Sequence, residues 1–296
     1  MRSLVGTVRQ LSAALRMLLA FTVIVGIAYP LAITAIAQIP GLKGRADGSM
    51  LTVDGHVVGS ALIGQSFTDE YGKPLVQYLQ SRPSASGYDP TATGASNLGP
   101  ESIVDTLPDP KVKGDAGTPS LLTQVCARSL AIGKLEGVDG ARPFCTSDGV
   151  GAVLAVFYAR PGYRGHVTKA VSLNRACPAK PFISTYQGAP VSCAKFGDDY
   201  SLGRVVPIRG SAPARPAVPA DAVTASGSAV DPEISYAYAK LQEPRIARVR
   251  GVPVAGVAAL VNEIASGRDL GFMGEKKVNV LKVNIALDEK YPYSRR

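Results

Sequence analysis

The longest apolar run of the chain lies near its N-terminus, where residues 17–39 read MLLAFTVIVGIAYPLAITAIAQI. No charged residue occurs between Arg16 and Lys43. At about 1.5 Å of rise per residue, a helix over this run crosses a hydrocarbon core of about 30 Å. The run also lacks the polar face that a helix on a soluble core would show. The pattern therefore predicts one transmembrane helix over residues 17–39.

The charges that flank the run indicate its orientation. The three arginines before it stand without any acidic residue, whereas the two cations that follow it are partly offset by Asp47. By the positive-inside rule, residues 1–16 are cytoplasmic and residues 40–296 are extracytoplasmic. Because Ala35-Ile36-Ala37 also fits a signal-peptidase site, cleavage after Ala37 is the alternative to a permanent anchor. In either case the bulk of the chain lies outside the cytoplasm.

Three positions within the run are candidates for packing against other membrane helices, namely Gly26, Tyr29 and Pro30. Small residues let neighbouring helices approach closely. Pro30 has no backbone N–H, and a hydroxyl such as that of Thr34 can compensate within a membrane helix.

Beyond the run, alternating and helical apolar patterns predict a mixed α/β domain. A hairpin is expected from Met50–Val53, the Asp54-Gly55 turn and His56–Val58, because Asp-Gly between apolar runs favours a tight turn. The other predicted elements are a strand at Ala61–Ile63, a helix at Leu121–Ile132, a strand at Val150–Ala159, a helix from Ser235 through Leu241, a second beginning at Pro244, a third from Pro253 to Gly267, and a terminal strand over 278–287.

All four cysteines lie in one stretch, at positions 126, 145, 177 and 193. Their spacing contains no Cys-x-x-Cys, and the chain has only two histidines, so a zinc site is disfavoured. Two disulfides suit an oxidising compartment. Short loops favour Cys126–Cys145 with Cys177–Cys193 over the two other connectivities, and four free thiols are the alternative.

The charge distribution argues against nucleic-acid binding. The chain carries 32 Lys and Arg against 23 Asp and Glu, a net charge of +9. By segment the net charge is +3 over 1–39, −1 over 40–100, +5 over 101–215 and +2 over 216–296. A nucleic-acid binder would concentrate cations on one face beside aromatic residues. Here the excess is dispersed.

Catalytic motifs are also missing. Gly59 and Gly64 have the spacing of a phosphate-binding loop, but Gln65 stands where such a loop needs lysine. No Gly-x-Ser-x-Gly elbow occurs, and a Ser-His-Asp triad would have to use His56 or His166. An enzyme is therefore disfavoured, and neither a catalytic nor a metal site is predicted.

Two loops, 82–100 and 223–235, are dense in Ser, Thr, Asn, Gly and Asp. Polar, glycine-rich loops on a rigid domain commonly make functional contacts. Turns that the fold itself needs are the alternative explanation. These loops therefore predict a surface for a partner or a small polar ligand.

The order of several blocks resembles one family. They are GSALIGQSF (59–67), RPSASGYDP (82–90), GASNLGP (94–100), VTASGSAVDPEIS (223–235), PRIARVRG (244–251) and LGFMGEKKVNVLKVNIALD (270–288), after one uncharged helix that contains Tyr29-Pro30. Together they resemble the C subunit of the Kdp potassium-transporting ATPase over residues 17–100 and 221–288.

The resemblance implies an accessory subunit with no chemistry of its own, in a single-span form with an extracytoplasmic α/β domain. Its partners would be a potassium-channel-like membrane subunit, a P-type ATPase subunit and the lipid bilayer. The subunit would be needed for assembly and would promote ATP use, so the resemblance also links it with ATP binding. ATP, magnesium and potassium are expected as requirements of the complex, with no cofactor assigned to this chain.

The candidate partner-binding residues come from the two polar loops and from the block that follows them, since Arg and Tyr commonly anchor interfaces. They are Arg82, Ser84, Tyr88, Asp89, Asn97, Ser226, Ser228, Asp231 and Arg245.

The stretch 101–215 departs from the family pattern and is expected to be an inserted, disulfide-bonded subdomain between residues 40–100 and 216–296. The competing functional class is a secreted or anchored disulfide-bonded hydrolase or ligand-binding domain. Retention of the chain in membranes would separate the anchored form from a cleaved one.

Overall fold

The computed structural model describes residues 2–268 and 270–293. It divides into two units, Met1–Leu62 and Ile63–Arg296. The first contains helices α1 (Arg2–Val23) and α2 (Tyr29–Ala37), joined by a π-helical turn at Ile24–Ala28. A short helix α3 (Lys43–Ala46) and two strands, β1 (Met50–Val53) and β2 (His56–Ser60), complete this unit.

The apolar helix is longer than the predicted 17–39 span. A continuous stretch from Val5 to Ala37, with a mean hydropathy of 2.2 in its most apolar window, has no buried residue in that window. The wide π-helical turn ends at Ala28, two residues before Pro30. The Tyr29 N–H donates to the Ile24 carbonyl at the end of this turn. The Thr34 hydroxyl donates to the Pro30 carbonyl at 2.8 Å. One helix of this length and composition fits a membrane-anchored chain.

The predicted hairpin is confirmed. Strands β1 and β2 pair antiparallel, with Val53 opposite His56. Asp54 and Gly55 both have positive φ, 50° and 78°, as the tightest hairpin turns require. The predicted strand at Ala61–Ile63 is wrong, because these residues form a turn and a bend after β2.

The second unit begins its regular structure with helix α4 (Leu121–Glu136), which extends the predicted helix by one turn. A five-stranded sheet follows, built from β3 (Val153–Arg160), β4 (Arg164–Ala176), β5 (Thr185–Tyr186), β6 (Ala189–Ala194) and β7 (Arg204–Pro207). Its order is β5-β6-β4-β3-β7, with only the β4–β6 pair parallel. Successive residues of β3 enter apolar clusters on opposite faces, since side chains alternate along a strand.

Two disulfides flank this sheet and confirm the predicted pairing. Cys126 of α4 bonds to Cys145, with their Cα atoms 5.4 Å apart. Cys177 bonds to Cys193 of β6, with their Cα atoms 5.1 Å apart. Each bond closes a short loop next to the sheet.

The main core is built by the elements that follow the sheet. They are α5 (Ala220–Val223), β8 (Glu233–Ser235), α6 (Tyr236–Arg250), α7 (Val254–Ile264), β9 (Lys277–Asn279) and α8 (Val280–Lys290). Val125 and Ile132 of α4 pack against this core, as does Val138 just after the helix. Helix α4 therefore shares a core with the C-terminal elements.

Two predictions in this region are wrong. The helices expected on either side of Pro244 form one continuous α6, in which Pro244 is exposed, so the carbonyl that loses its partner can face water. The expected strand over 278–287 ends after Asn279, whose side chain caps α8 by accepting from Lys282 N–H at 3.0 Å. The buried valines and leucines of α8 follow helical spacing, which overrides the preference of the β-branched valines for strands.

The irregular segment 76–80 is held by side chains instead of a strand, since in the described part of the chain no strand pairs with it. Asn284 of α8 accepts from Leu79 N–H at 2.8 Å and donates to the Leu79 carbonyl at 3.0 Å. Gln242 of α6 likewise accepts from Gln80 N–H at 2.7 Å and donates to its carbonyl at 3.1 Å. All four residues are buried. These two amides replace the ladder that a sheet would supply.

We expect the substitution Asn284→Leu to lower the free energy of unfolding by about 2–4 kcal/mol, because it leaves both polar backbone groups of Leu79 buried without partners. The matched control is Asn262→Leu at an exposed position of α7, where water can replace the hydrogen bond that Tyr236 loses. Urea unfolding of the full chain in detergent, followed by circular dichroism, measures both. Equal losses in the two variants would contradict the role given to Asn284.

Candidate partner-binding surface

The structure brings the two polar loops together through Arg82 and Asp231. Arg82 Nη1 lies 3.0 Å from Asp231 Oδ2. Arg82 Nη2 also donates to the carbonyls of Ala225 at 3.3 Å and Thr224 at 3.5 Å. Both charged side chains are partly buried. One guanidinium therefore connects the first loop to both ends of the second.

Ser84 and Tyr88 tighten the same junction. The Ser84 hydroxyl donates to the Ala229 carbonyl at 2.7 Å and accepts from Tyr88 N–H at 2.9 Å. The Tyr88 hydroxyl donates to the Arg82 carbonyl at 2.7 Å. Burial raises the pKa of Tyr88 to about 12, against the smaller lowering effect of a hydrogen bond with Ser81. Tyr88 is therefore a neutral hydrogen-bond donor at physiological pH.

Ser226 and Ser228 order the second loop from within. Ser226, which is buried, donates its backbone N–H to the Pro83 carbonyl at 2.9 Å and accepts Asp231 N–H on its hydroxyl at 3.2 Å. Ser228 Oγ donates to Asp231 Oδ1 at 3.1 Å. Asp231 is thereby fixed from both sides, by Arg82 and by Ser228.

Gly64, the second glycine of the spacing that resembles a phosphate-binding loop, has a packing role at the loop junction. Its N–H donates to the Val230 carbonyl at 2.7 Å. A Cβ atom at Gly64 would clash with the Asp231 carbonyl oxygen and with the Tyr88 ring. The glycine therefore permits close packing of backbone against both loops.

Asp89 and Asn97 lie on an exposed stretch, residues 89–98. Gly94 N–H ties this stretch to the Ser228 carbonyl at 3.2 Å. Asp89 accepts from the hydroxyl and the N–H of Thr91, and these hydrogen bonds lower the pKa of its carboxyl. Asn97 has a φ of 56°, a left-handed conformation that Asn adopts more readily than most residues. We call residues 89–98, with Ser228, the outer rim.

Arg245 does not join this surface, which differs from the sequence prediction. It is 2% exposed, and its Nε contacts both carboxylate oxygens of Glu136 of α4, at 3.0 and 3.1 Å. Its remaining donors bind the carbonyls of Val76 and Tyr78 and the side chain of Gln242. Arg245 therefore joins α4, α6 and segment 76–80 in the interior and is not available for contact with a partner.

The loop junction presents ordered polar groups. In residues 2–268 and 270–293, no group of three or more His, Cys, Asp or Glu residues could hold a metal ion. His56 and His166 are both exposed. A cleft of about 360 Å³ borders the junction, with Arg82, Tyr88 and Arg128 among its lining residues. What the loops offer is a set of ordered hydrogen-bond donors and acceptors.

The sequence analysis did not identify the buried polar residues that fix the chain before the first polar loop. They are Glu136, Gln242 and Asn284. A weak signal existed for two of them. Gln242 and Arg245 are three residues apart on α6, and Asn284 lies among apolar residues at helical spacing in α8. Polar residues at interior positions of a helix indicate buried hydrogen bonds.

The family model for "KdpC: K+-transporting ATPase, c chain" matches residues 11–106 and 204–289, more than half of the chain. The fold and the loop junction thus belong to a membrane-anchored subunit of an ion-transporting ATPase. The chain is a member of the KdpC family, the C subunits of the potassium-transporting ATPase, and this membership implies a role in potassium transport.

Relatives of similar length support this membership. The potassium-transporting ATPase KdpC subunit of Mycobacterium tuberculosis strain H37Rv is 33% identical over 282 residues, which cover 95% of this chain and 98% of the relative. The subunit of Kineococcus radiotolerans is 33% identical over 292 residues, 98% of each chain. That of Rhodospirillum rubrum is 32% identical over 286 residues, 96% of this chain and 97% of the relative.

A double-mutant cycle tests the loop junction. We expect Arg82→Met and Asp231→Asn to be coupled by about 0.5–1 kcal/mol in the free energy of unfolding, the range for partly exposed ion pairs. Unfolding of the full chain in urea measures the four members of the cycle. The coupling should shrink in high salt, because salt screens exposed charges. Strictly additive effects would show that the pair does not link the loops energetically.

Proposed function

We propose that this chain is a non-catalytic accessory subunit of an ATP-driven potassium importer and that it promotes assembly and ATP-coupled transport. The observation that carries this proposal is the junction of the two polar loops, in which residues of this chain hold both loops in place by an ion pair and hydrogen bonds. A surface ordered before binding loses less conformational entropy when a partner docks. The partners are the channel-like membrane subunit and the P-type ATPase subunit of the same complex.

Within this proposal, the outer rim contacts the extracytoplasmic loops of the channel-like subunit. Asp89 and Asn97 supply exposed polar groups, and Ser228, which is also exposed, keeps its hydroxyl bonded to Asp231 within the junction. Arg82, Ser84, Tyr88, Ser226 and Asp231 act as positioning residues, since their polar groups are used within the junction. ATP and magnesium would be used by the ATPase subunit, and potassium would pass through the channel-like subunit.

The anchor would span the membrane with residues 1–16 in the cytoplasm and the domain outside. The excess of arginine before the span supports this orientation. Gly26 lies in the π-helical turn and Tyr29 and Pro30 follow it, so the helix surface changes there from its regular form. A wide turn beside a small residue gives a neighbouring helix room to approach.

We also propose that residues 101–215 are an insertion into the family domain. The family model leaves residues 107–203 of this chain unmatched, which supports the proposal, and this stretch includes strands β3 to β6 and both disulfides. Helix α4, however, packs into the main core and pairs Glu136 with Arg245. Any deletion that tests the insertion should therefore retain α4 and remove the sheet.

A paired comparison tests the docking surface. We expect the variant Asp89→Ala with Asn97→Gly to reduce co-purification of the channel-like subunit from membranes and to lower potassium-stimulated ATPase activity by at least about fivefold, the effect of losing about 1 kcal/mol of contact energy. Asn97→Gly keeps the backbone conformation, because glycine tolerates positive φ.

The matched control is Asp199→Ala with Gln187→Gly. Asp199 accepts from the N–H and the hydroxyl of Ser201, as Asp89 does from Thr91, and exposed Gln187 has a φ of 47°. This control should assemble normally. Normal assembly of both variants would refute the rim as a docking site, and equal loss in both would indicate a general folding defect.

A further inference from the structure

An apolar loop projects from the second unit between α7 and β9. Leu270 is 82% exposed, Phe272 is 72% exposed and Met273 is 52% exposed. Gly271 and Gly274, both at positive φ, separate and follow these side chains. We call residues 270–276 the tip loop. Three large apolar side chains this close together on a surface mark an interaction site.

Cations and an aromatic ring surround the base of the tip loop. Lys276 Nζ lies 4.7 Å from the centre of the Tyr236 ring, and Lys240 Nζ lies 5.7 Å from it. Arg268 and Glu275 line the same surface depression as Tyr236 and Lys276. The charges named here are three cations and one carboxylate, and the neighbouring Lys277–Glu233 ion pair adds no net charge.

This combination matches the requirements of a bilayer interface. The transfer of exposed Leu, Phe and Met side chains from water to the boundary between headgroups and acyl chains is favourable. Tyrosine is enriched at that depth, and lysine and arginine are attracted to anionic headgroups.

We propose that the tip loop inserts into the membrane interface, with Leu270, Phe272 and Met273 in the headgroup boundary and Lys240, Arg268 and Lys276 on anionic lipid phosphates. The occupant is the lipid surface in which the chain's own helix is anchored. A tether of this kind keeps the domain at high effective concentration near the bilayer, so a small apolar contact suffices. This inference does not depend on the docking of the outer rim.

The absence of tryptophan from the sequence makes a direct test possible. The substitution Phe272→Trp places a single fluorophore on the tip loop of the full chain. The matched control is Leu202→Trp, because Leu202 is 83% exposed and precedes β7 on the five-stranded sheet. Both variants are reconstituted into phosphatidylcholine vesicles with and without phosphatidylglycerol, and with or without lipids brominated near the headgroup.

We expect the tryptophan at position 272 to emit at shorter wavelength than that at position 202, and to be quenched several-fold more by brominated lipid. Lys240→Gln with Lys276→Gln should remove the part of this difference that depends on phosphatidylglycerol. Leu270→Ser with Met273→Ser should weaken the lipid quenching in both kinds of vesicle. High salt should reproduce the effect of the lysine variants.

Three results would overturn the proposal. The first is equal quenching by brominated lipid at positions 272 and 202. The second is a tryptophan at position 272 that remains fully open to aqueous iodide in anionic vesicles. The third is a blue shift at position 272 that occurs only in the assembled pump without any lipid quenching, which would identify a protein surface as the occupant.

Discussion

Among the residues that the structure describes, no strand pairs with the buried backbone of Leu79 and Gln80, and side chains of the C-terminal helices supply its hydrogen bonds instead. Asn284 and Gln242 each bond both the N–H and the carbonyl of one residue. Arg245 extends the same support to Val76 and Tyr78 while its Nε bonds the Glu136 carboxylate. Buried backbone groups without partners are costly, so these side chains fix the path of the chain.

The first polar loop begins directly after this segment, at Arg82, so its position follows from that path. The ion pair to Asp231 then fixes the second loop against the first. The order of dependence runs from the helices to segment 76–80, then to the loop junction, and finally to the exposed outer rim. A surface supported in this way is held in shape without a partner. That property suits a subunit whose family belongs to a potassium-transporting ATPase.

The features that depend on interactions between residues close in sequence could be predicted from the sequence. The apolar helix, the hairpin at Asp54-Gly55 and both disulfides depend on composition, turn chemistry and loop length. Arg245 and residues 278–287 could not be placed in this way. Burial of Arg245 depends on Glu136, which lies 109 residues away, and the C-terminal helix depends on a cap at Asn279 and on Asn284 reaching Leu79. Such contacts exist only after the fold has formed.

The most direct test of the central claim, that the outer rim contacts the channel-like subunit, is site-specific photocrosslinking in native membranes. A photoreactive benzoylphenylalanine replaces Asn97, and in a second strain it replaces Gln187 as the control on the sheet. The account predicts a covalent product with the channel-like subunit from position 97 and none from position 187. No product from position 97 in an assembled, active complex would contradict it, as would equal products from both positions.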